Sequence, residues 1–227
     1  MHDIVYILKD NPPTEELRYS LRSLVNFPHR DVWFVCGIPD GITPDHQIRH
    51  EQRGASNWQK STSSLYRICH EGAVTEDFWL FNDDFFIMKP VESLKPIYNG
   101  TIYRRIQELE QKNMGKTLYS RELEKVYNIL MDDGYKTRNY AVHMPMLINK
   151  NKALEVINEY PNASSFRCLY GNRFDIGGVN RKDCKVLSHT EVPKNKPFLS
   201  TTDTSFRDGK VGEYIRECFP EPSRFEI

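Results

Sequence analysis

The 227 residues contain no apolar run of about 18, the length a membrane-crossing helix needs. The opening MHDIVYILKDNPP has no basic stretch followed by a long apolar one, so it is expected to fold as structure and not to act as a signal peptide. The five cysteines, Cys36, Cys69, Cys168, Cys184 and Cys218, are odd in number and form no C-x-x-C pair. That excludes a zinc knuckle, speaks against a disulfide framework, and makes a reducing, cytoplasmic setting the expectation. Charge of one sign is also missing: 31 Lys and Arg meet 31 Asp and Glu, so no global field draws the chain to nucleic acid or an anionic membrane. The clusters Arg104, Arg105, Lys112 and Arg167, Arg173, Arg181 are read as solvated faces. No G-x-G-x-x-G follows a strand and no G-x-x-x-x-G-K-[ST] occurs, which disfavours a Rossmann dinucleotide fold and a P-loop NTPase. Internal repeats and low-complexity tracts are absent as well.

What is present is a succession of short apolar runs separated by helical patterns. Asp3–Leu8, Val32–Cys36 and Asp77–Phe81 read as buried strands. A helix is expected between the first two, opened by Thr14, Glu15 and Glu16, with Leu17, Leu21 and Leu24 on its inner side. Two parallel strands around a helix imply a right-handed βαβ unit. A second helix is expected from Trp58 to about His70. Residues 91–139 are rich in charge and predict helices near 101–112 and 120–132, a helical insertion or subdomain within one domain spanning 1–227. Tyr140–Pro145 reads as a strand returning to the sheet, Lys150–Tyr160 and 163–170 as helices, Asp183–Leu187 as a late strand, 198–206 as a polar loop, and Gly209–Phe219 as a final helix. The expected class is α/β, a mostly parallel sheet flanked by helices.

The strongest chemical feature is Asn82-Asp83-Asp84, which interrupts the aromatic run Leu80-Phe81…Phe85-Phe86. Adjacent carboxylates at a strand tip repel one another unless a cation intervenes. A hard divalent ion, Mn²⁺ or Mg²⁺, suits them, with a substrate diphosphate completing its shell. The bland alternative is a strand-end turn satisfying local backbone groups. At the end of the first strand, Lys9 and Asp10 lie where open parallel sheets bind ligands, and Asp10 is a candidate for a ribose or base edge. Lys60 and Arg67, seven residues apart on one helix, are candidates for the diphosphate. His143 is a candidate general base, since imidazole titrates near working pH, with Asp175 as an acidic alternative.

The combination of Glu16-Leu-Arg-Tyr-Ser-Leu-Arg-Ser-Leu24, Phe81-Asn-Asp-Asp-Phe-Phe86 followed by Lys89-Pro90, and His143-Met-Pro145 resembles the Stealth-type sugar-phosphate transferases. More widely it resembles GT-A glycosyltransferases, including small phage-encoded members. The resemblance covers residues 3–95 best, 140–158 less well, and the tail weakly. It implies a GT-A-like α/β/α domain that binds a nucleotide-sugar donor, with UDP-sugars such as UDP-glucose favoured. It places Asn82, Asp83 and Asp84 on the D-x-D metal motif, with Asp84 as first ligand and Asp83 as second. Asn82 stands where the motif has an acid, which puts the ribose or second metal contact in doubt. The late His or Asp ligand falls to His189, with Asp175, Asp183 and Asp203 as competitors. The implied reaction moves a sugar to an acceptor hydroxyl, on a glycan or a modified DNA base. The alternatives are transfer of a whole sugar 1-phosphate and, from another class, a non-catalytic nucleotide- or nucleic-acid-binding module.

Overall fold

Valine, isoleucine and aromatic side chains buried on both faces build the centre of the protein, as a parallel sheet covered by helices demands. The computed structural model describes residues 1–9 and 14–227, and Thr14 by its backbone alone. Strand β1 (Asp3–Ile7) leads to helix α1 (Thr14–Ser23), a 3₁₀ turn (Leu24–Asn26), and strands β2 (Val32–Val35) and β3 (His46–Ile48). Helix α2 (Asn57–Cys69) connects to β4 (Asp77–Phe81) and β5 (Phe85–Ile87). Next come β6 (Ile97–Tyr98), α3 (Ile102–Lys112), α4 (Leu118–Asp132), β7 (Met146–Asn149), α5 (Lys150–Glu159) and α6 (Phe166–Arg173). The chain ends with β8 (Val179–Asn180), β9 (Phe198–Ser200), α7 (Asp203–Arg207) and α8 (Lys210–Cys218).

The five-stranded sheet has the order β3-β2-β1-β4-β7, and only β7 runs against the rest. Alternation along β1 sets the two layers. Val5 points into a core shared with α2, α3, α4, α5 and α6, while Ile4 and Tyr6 point into one built from α1 and β5. Because β7 is antiparallel, its beginning lies at the edge where β4 ends, with Met146 opposite Leu80. The segment entering β7 therefore reaches the edge that carries Asn82.

The expected α/β class is what the structure shows. Several local expectations differ from it. The returning strand is Met146–Asn149, and 140–145 precedes it. Residues 183–187 form only an isolated bridge, Lys185 with Ser200. The polar loop at 198–206 holds β9 and α7, the latter opened by a capping box between Thr202 and Ser205. The helices of the 91–139 segment do not stand apart. Ile102, Ile106, Leu123, Val126 and Leu130 are buried in the same core as the sheet. Among the described residues, no helix is long and apolar enough to cross a membrane.

Candidate active site

The C-terminal ends of β1 and β4 open onto a cavity of about 350 Å³. Ile7 closes its floor from β1, and Phe81, Asn82 and Asp83 from β4. Trp58, Ser61 and Thr62 of α2 form one wall, Tyr119 of α4 another, and Phe166 and Arg167 a third. Helix α2 is set by a full capping box, in which Ser56 and Gln59 bond each other's backbone N–H. The Trp58 and Tyr119 rings stack at 6.2 Å with planes 21° apart. Helix α4 of the charged 91–139 segment thus supplies an aromatic ring to the site.

Arg167, read from the sequence as part of a solvated basic face, is instead drawn into the cavity wall. It opens α6, where Ser165 adopts the left-handed conformation (φ +55°) and makes no side-chain cap. Gly171, one turn on, lets the helix lie against the Tyr140 ring, which a Cβ there would meet at 2.5 Å. So seated, Arg167 donates to Asn82 Oδ1 at 2.8 Å, to Val142 O at 3.2 Å, and to Met144 O. None of these partners is a carboxylate. Burial pushes the guanidinium pKa down to about 10, against the opposing pull of Asp84 and Asp183. Among the described residues no carboxylate bonds this half-buried guanidinium, which lines the cavity and keeps its charge.

The three residues of the turn diverge in role. Asn82 holds Arg167. Asp83 lines the cavity, and burial followed by the charge of Asp84 raises its pKa, with Lys9 opposing. Asp84 receives Lys185 Nζ on Oδ2 at 3.1 Å, while its buried Oδ1 has no hydrogen-bond partner among the described residues. Lys185 Nζ also lies 3.1 Å from His143 Nε2. An ammonium can only donate, so Nε2 accepts and the proton sits on Nδ1. Nδ1 accordingly donates to Asp183 Oδ2 at 2.7 Å, and the His143 backbone N–H donates to Asp183 Oδ1 at 3.1 Å. Burial works against the Asp183 charge, but these bonds outweigh it and hold its pKa below the usual range. The result is a continuous chain: Asp84, Lys185, His143, Asp183.

The turn fits a divalent ion as half of a site. Asp83 lines the cavity; Asp84 does not, and its buried Oδ1 has no hydrogen-bond partner among the described residues; both offer hard oxygens. The other ligands would be phosphate oxygens, since among the described residues no three His, Cys, Asp or Glu converge to hold an ion unaided.

The remaining expected residues lie elsewhere. His189 is exposed on the turn closed by Leu187 and Thr190, and the group that reaches Asp84 is Lys185 instead. Asp175 follows the far end of α6, about 12 Å of helix from Arg167, and its carboxylate is bound by Lys136 at 2.6 Å and Arg138 at 2.8 Å. Arg67 pairs with Glu71 at 3.0 Å, and Ser61 and Thr62 line the cavity where Lys60 was expected. Lys9 is exposed, with its charge felt at Asp83. Asp10 lies outside the described residues.

No protein-family model matches the chain, and a search of curated proteins gives no match. Among solved structures it is similar to the galactosyltransferase LgtC in complex with donor and acceptor sugar analogues. The identity is 13% over 97% of this chain and 96% of that one, with a TM-score of 0.49. It is also similar to an active-site mutant of LgtC, at 13% identity over 95% of this chain and 94% of the other, with a TM-score of 0.46. Likenesses this distant say nothing of the chemistry done here.

Proposed function

We propose that the chain is a glycosyltransferase of GT-A-like fold that uses a nucleotide-sugar donor, a UDP-sugar first among them. The observation that carries this reading is the shared wall of Asp83 and Arg167. Asp83 and a half-buried guanidinium with no carboxylate bonded to it among the described residues meet in one aromatic-lined cavity at the carboxyl edge of a parallel sheet.

The base of the donor lies against Trp58 and Tyr119, whose rings offer a stacking platform. Its diphosphate meets Arg167 and the uncapped start of α6. Asp83 and Asp84 would hold a divalent ion, whose charge would stabilise the departing phosphate. The acceptor hydroxyl replaces Lys185 at His143 Nε2, where the fixed tautomer presents a lone pair. The hydroxyl oxygen bonds to the anomeric carbon, and its proton passes to Nε2. The carbon–oxygen bond to the diphosphate breaks, its electron pair leaving with the phosphate. Asp183 then faces an imidazolium and stabilises it. Attack at the sugar-bearing phosphorus instead would transfer a sugar 1-phosphate and release a nucleoside monophosphate.

Calorimetry with EDTA-treated protein, Mn²⁺ and a panel of nucleotides tests the donor site. Nucleoside diphosphate binding that strengthens with Mn²⁺ is expected, and no heat with any nucleotide removes the reading. Asp84→Asn should lower turnover at least ~100-fold, the scale of losing one preorganised charge, with the circular dichroism spectrum retained. Unchanged turnover rules out the role of the turn. Whether the released nucleotide is a di- or monophosphate separates the two transfers.

A further inference from the structure

A second cavity has a volume of about 360 Å³. Asp183 and Lys185 line it, and both bond His143. The segment entering β7 contributes a residue to each hollow. Ala141 belongs to the wall of the first, Met144 to the wall of the second, and His143 stands between them in sequence. His143 itself lines neither hollow; its link to the second is through Asp183 and Lys185, which line that cavity and bond the imidazole.

The chemistry of the second lining is one-sided. Arg181, Lys182, Lys185 and Lys196 face Asp183 and Glu191. Asp183 is committed to His143 and Lys185 to Asp84, which leaves three cations against Glu191. Among the described residues, none of these three side chains has an ion-pair partner. On the charged helix pair, Arg104 is held by Glu108, Lys116 by Glu124 and Lys125 by Glu122, while Lys112 and Arg121 are likewise without an ion pair among the described residues. Phe198 and Met144 add apolar surface on which a sugar ring can lie.

Resting on the transferase reading, we propose that this second cavity is the acceptor subsite and that it takes a saccharide bearing a negatively charged group, phosphate or carboxylate. Arg181, Lys182 and Lys196 receive the anion, and a hydroxyl of the same sugar is delivered to His143. The cavity volume suits one sugar residue or two and not a duplex.

Ligand-observed NMR titrations with glucose, glucose 6-phosphate and glucuronate, each with saturating UDP and Mn²⁺, test this. At least one anionic sugar is expected to bind ~10-fold more tightly than glucose, a preference that shrinks with added salt. The two anions, run separately, tell phosphate from carboxylate. In Lys182→Glu/Lys196→Glu the preference should vanish while UDP binding remains. Equal binding of all three sugars, or a preference that survives the double reversal, overturns the proposal. So does tight binding of a hydroxymethylcytosine oligonucleotide that depends on these lysines while the sugars do not bind. Loss of UDP binding by the unaltered protein would instead strike at the donor site.

Discussion

Glu16 is buried on α1, and Thr201 Oγ1 donates to its Oε1 at 2.6 Å. Burial first, then the charges of Asp84, Asp203 and Asp83, push its pKa up to about 7 from 4.5. The folded protein therefore holds this proton more firmly than the unfolded chain does. Its contribution to stability is complete below 4.5 and is lost as pH rises through about 7. The loss amounts to about 3 kcal/mol. Melting temperatures measured in EDTA should fall over that interval for the natural protein and much less for Glu16→Gln. Parallel curves for the two would show that Glu16 is already ionised at the lower pH. The same residue scale explains why part of the site was illegible in sequence. Asn82-Asp83-Asp84 announces itself by interrupting an aromatic strand. Arg167 and Lys185 carry no local signal, because what makes them unusual is the company they keep 85 and 101 residues away.

At the scale of elements, runs that pack on both faces were readable and short amphipathic pieces were not. Strands β1, β2 and β4 match the apolar runs to within a residue. Strand β3 escaped notice because its three residues include exposed His46 and lie at the sheet's edge, where burial imposes no pattern. The capping box of α7 was legible in Thr202 and Ser205, had the hydroxyls been weighed as caps and not as loop residues. Helices α2 and α4 come from distant parts of the chain and meet at Trp58 and Tyr119. Replacing either ring by alanine should weaken nucleotide binding ~10-fold, as loss of one stacking partner does, with little change in melting temperature for the half-exposed Trp58. Unaltered UDP affinity in both variants would move the base out of this cavity.

Across the whole molecule, the C-terminal segment is tied back onto α1. Glu226 accepts from Arg22 Nε at 2.7 Å, Arg22 Nη2 at 2.6 Å, Arg18 Nη1 at 2.9 Å and the Ser223 backbone N–H at 2.7 Å. Phe225 joins the core on that side of the sheet. Burial alone would raise the Glu226 pKa, yet these partners bring it down to about 2. Its stabilisation is therefore present above 4.5 and lost as pH falls through about 2. Glu226→Gln should cost about 3 kcal/mol at neutral pH, the scale for breaking a buried ion pair, and flatten the acid limb of unfolding. A neutral-pH denaturation midpoint like that of the natural protein would mean that Arg18 and Arg22 find other partners. The arginines of this clamp enter the sequence reading only as part of the Glu16–Leu24 motif, since nothing local links them to a residue about 200 positions on.

The single reversed strand has a consequence for how the molecule tolerates change. In a wholly parallel sheet, whatever leaves a strand ends up beside the chemistry. In β7 the approach does so, and the exit into α5 emerges at the opposite rim, beside Asp77 and Glu76. Insertions or tags placed after Asn149 are thus insulated from His143 by the full length of a strand, whereas one residue added between Tyr140 and Met146 would shift the imidazole out of reach of both neighbours.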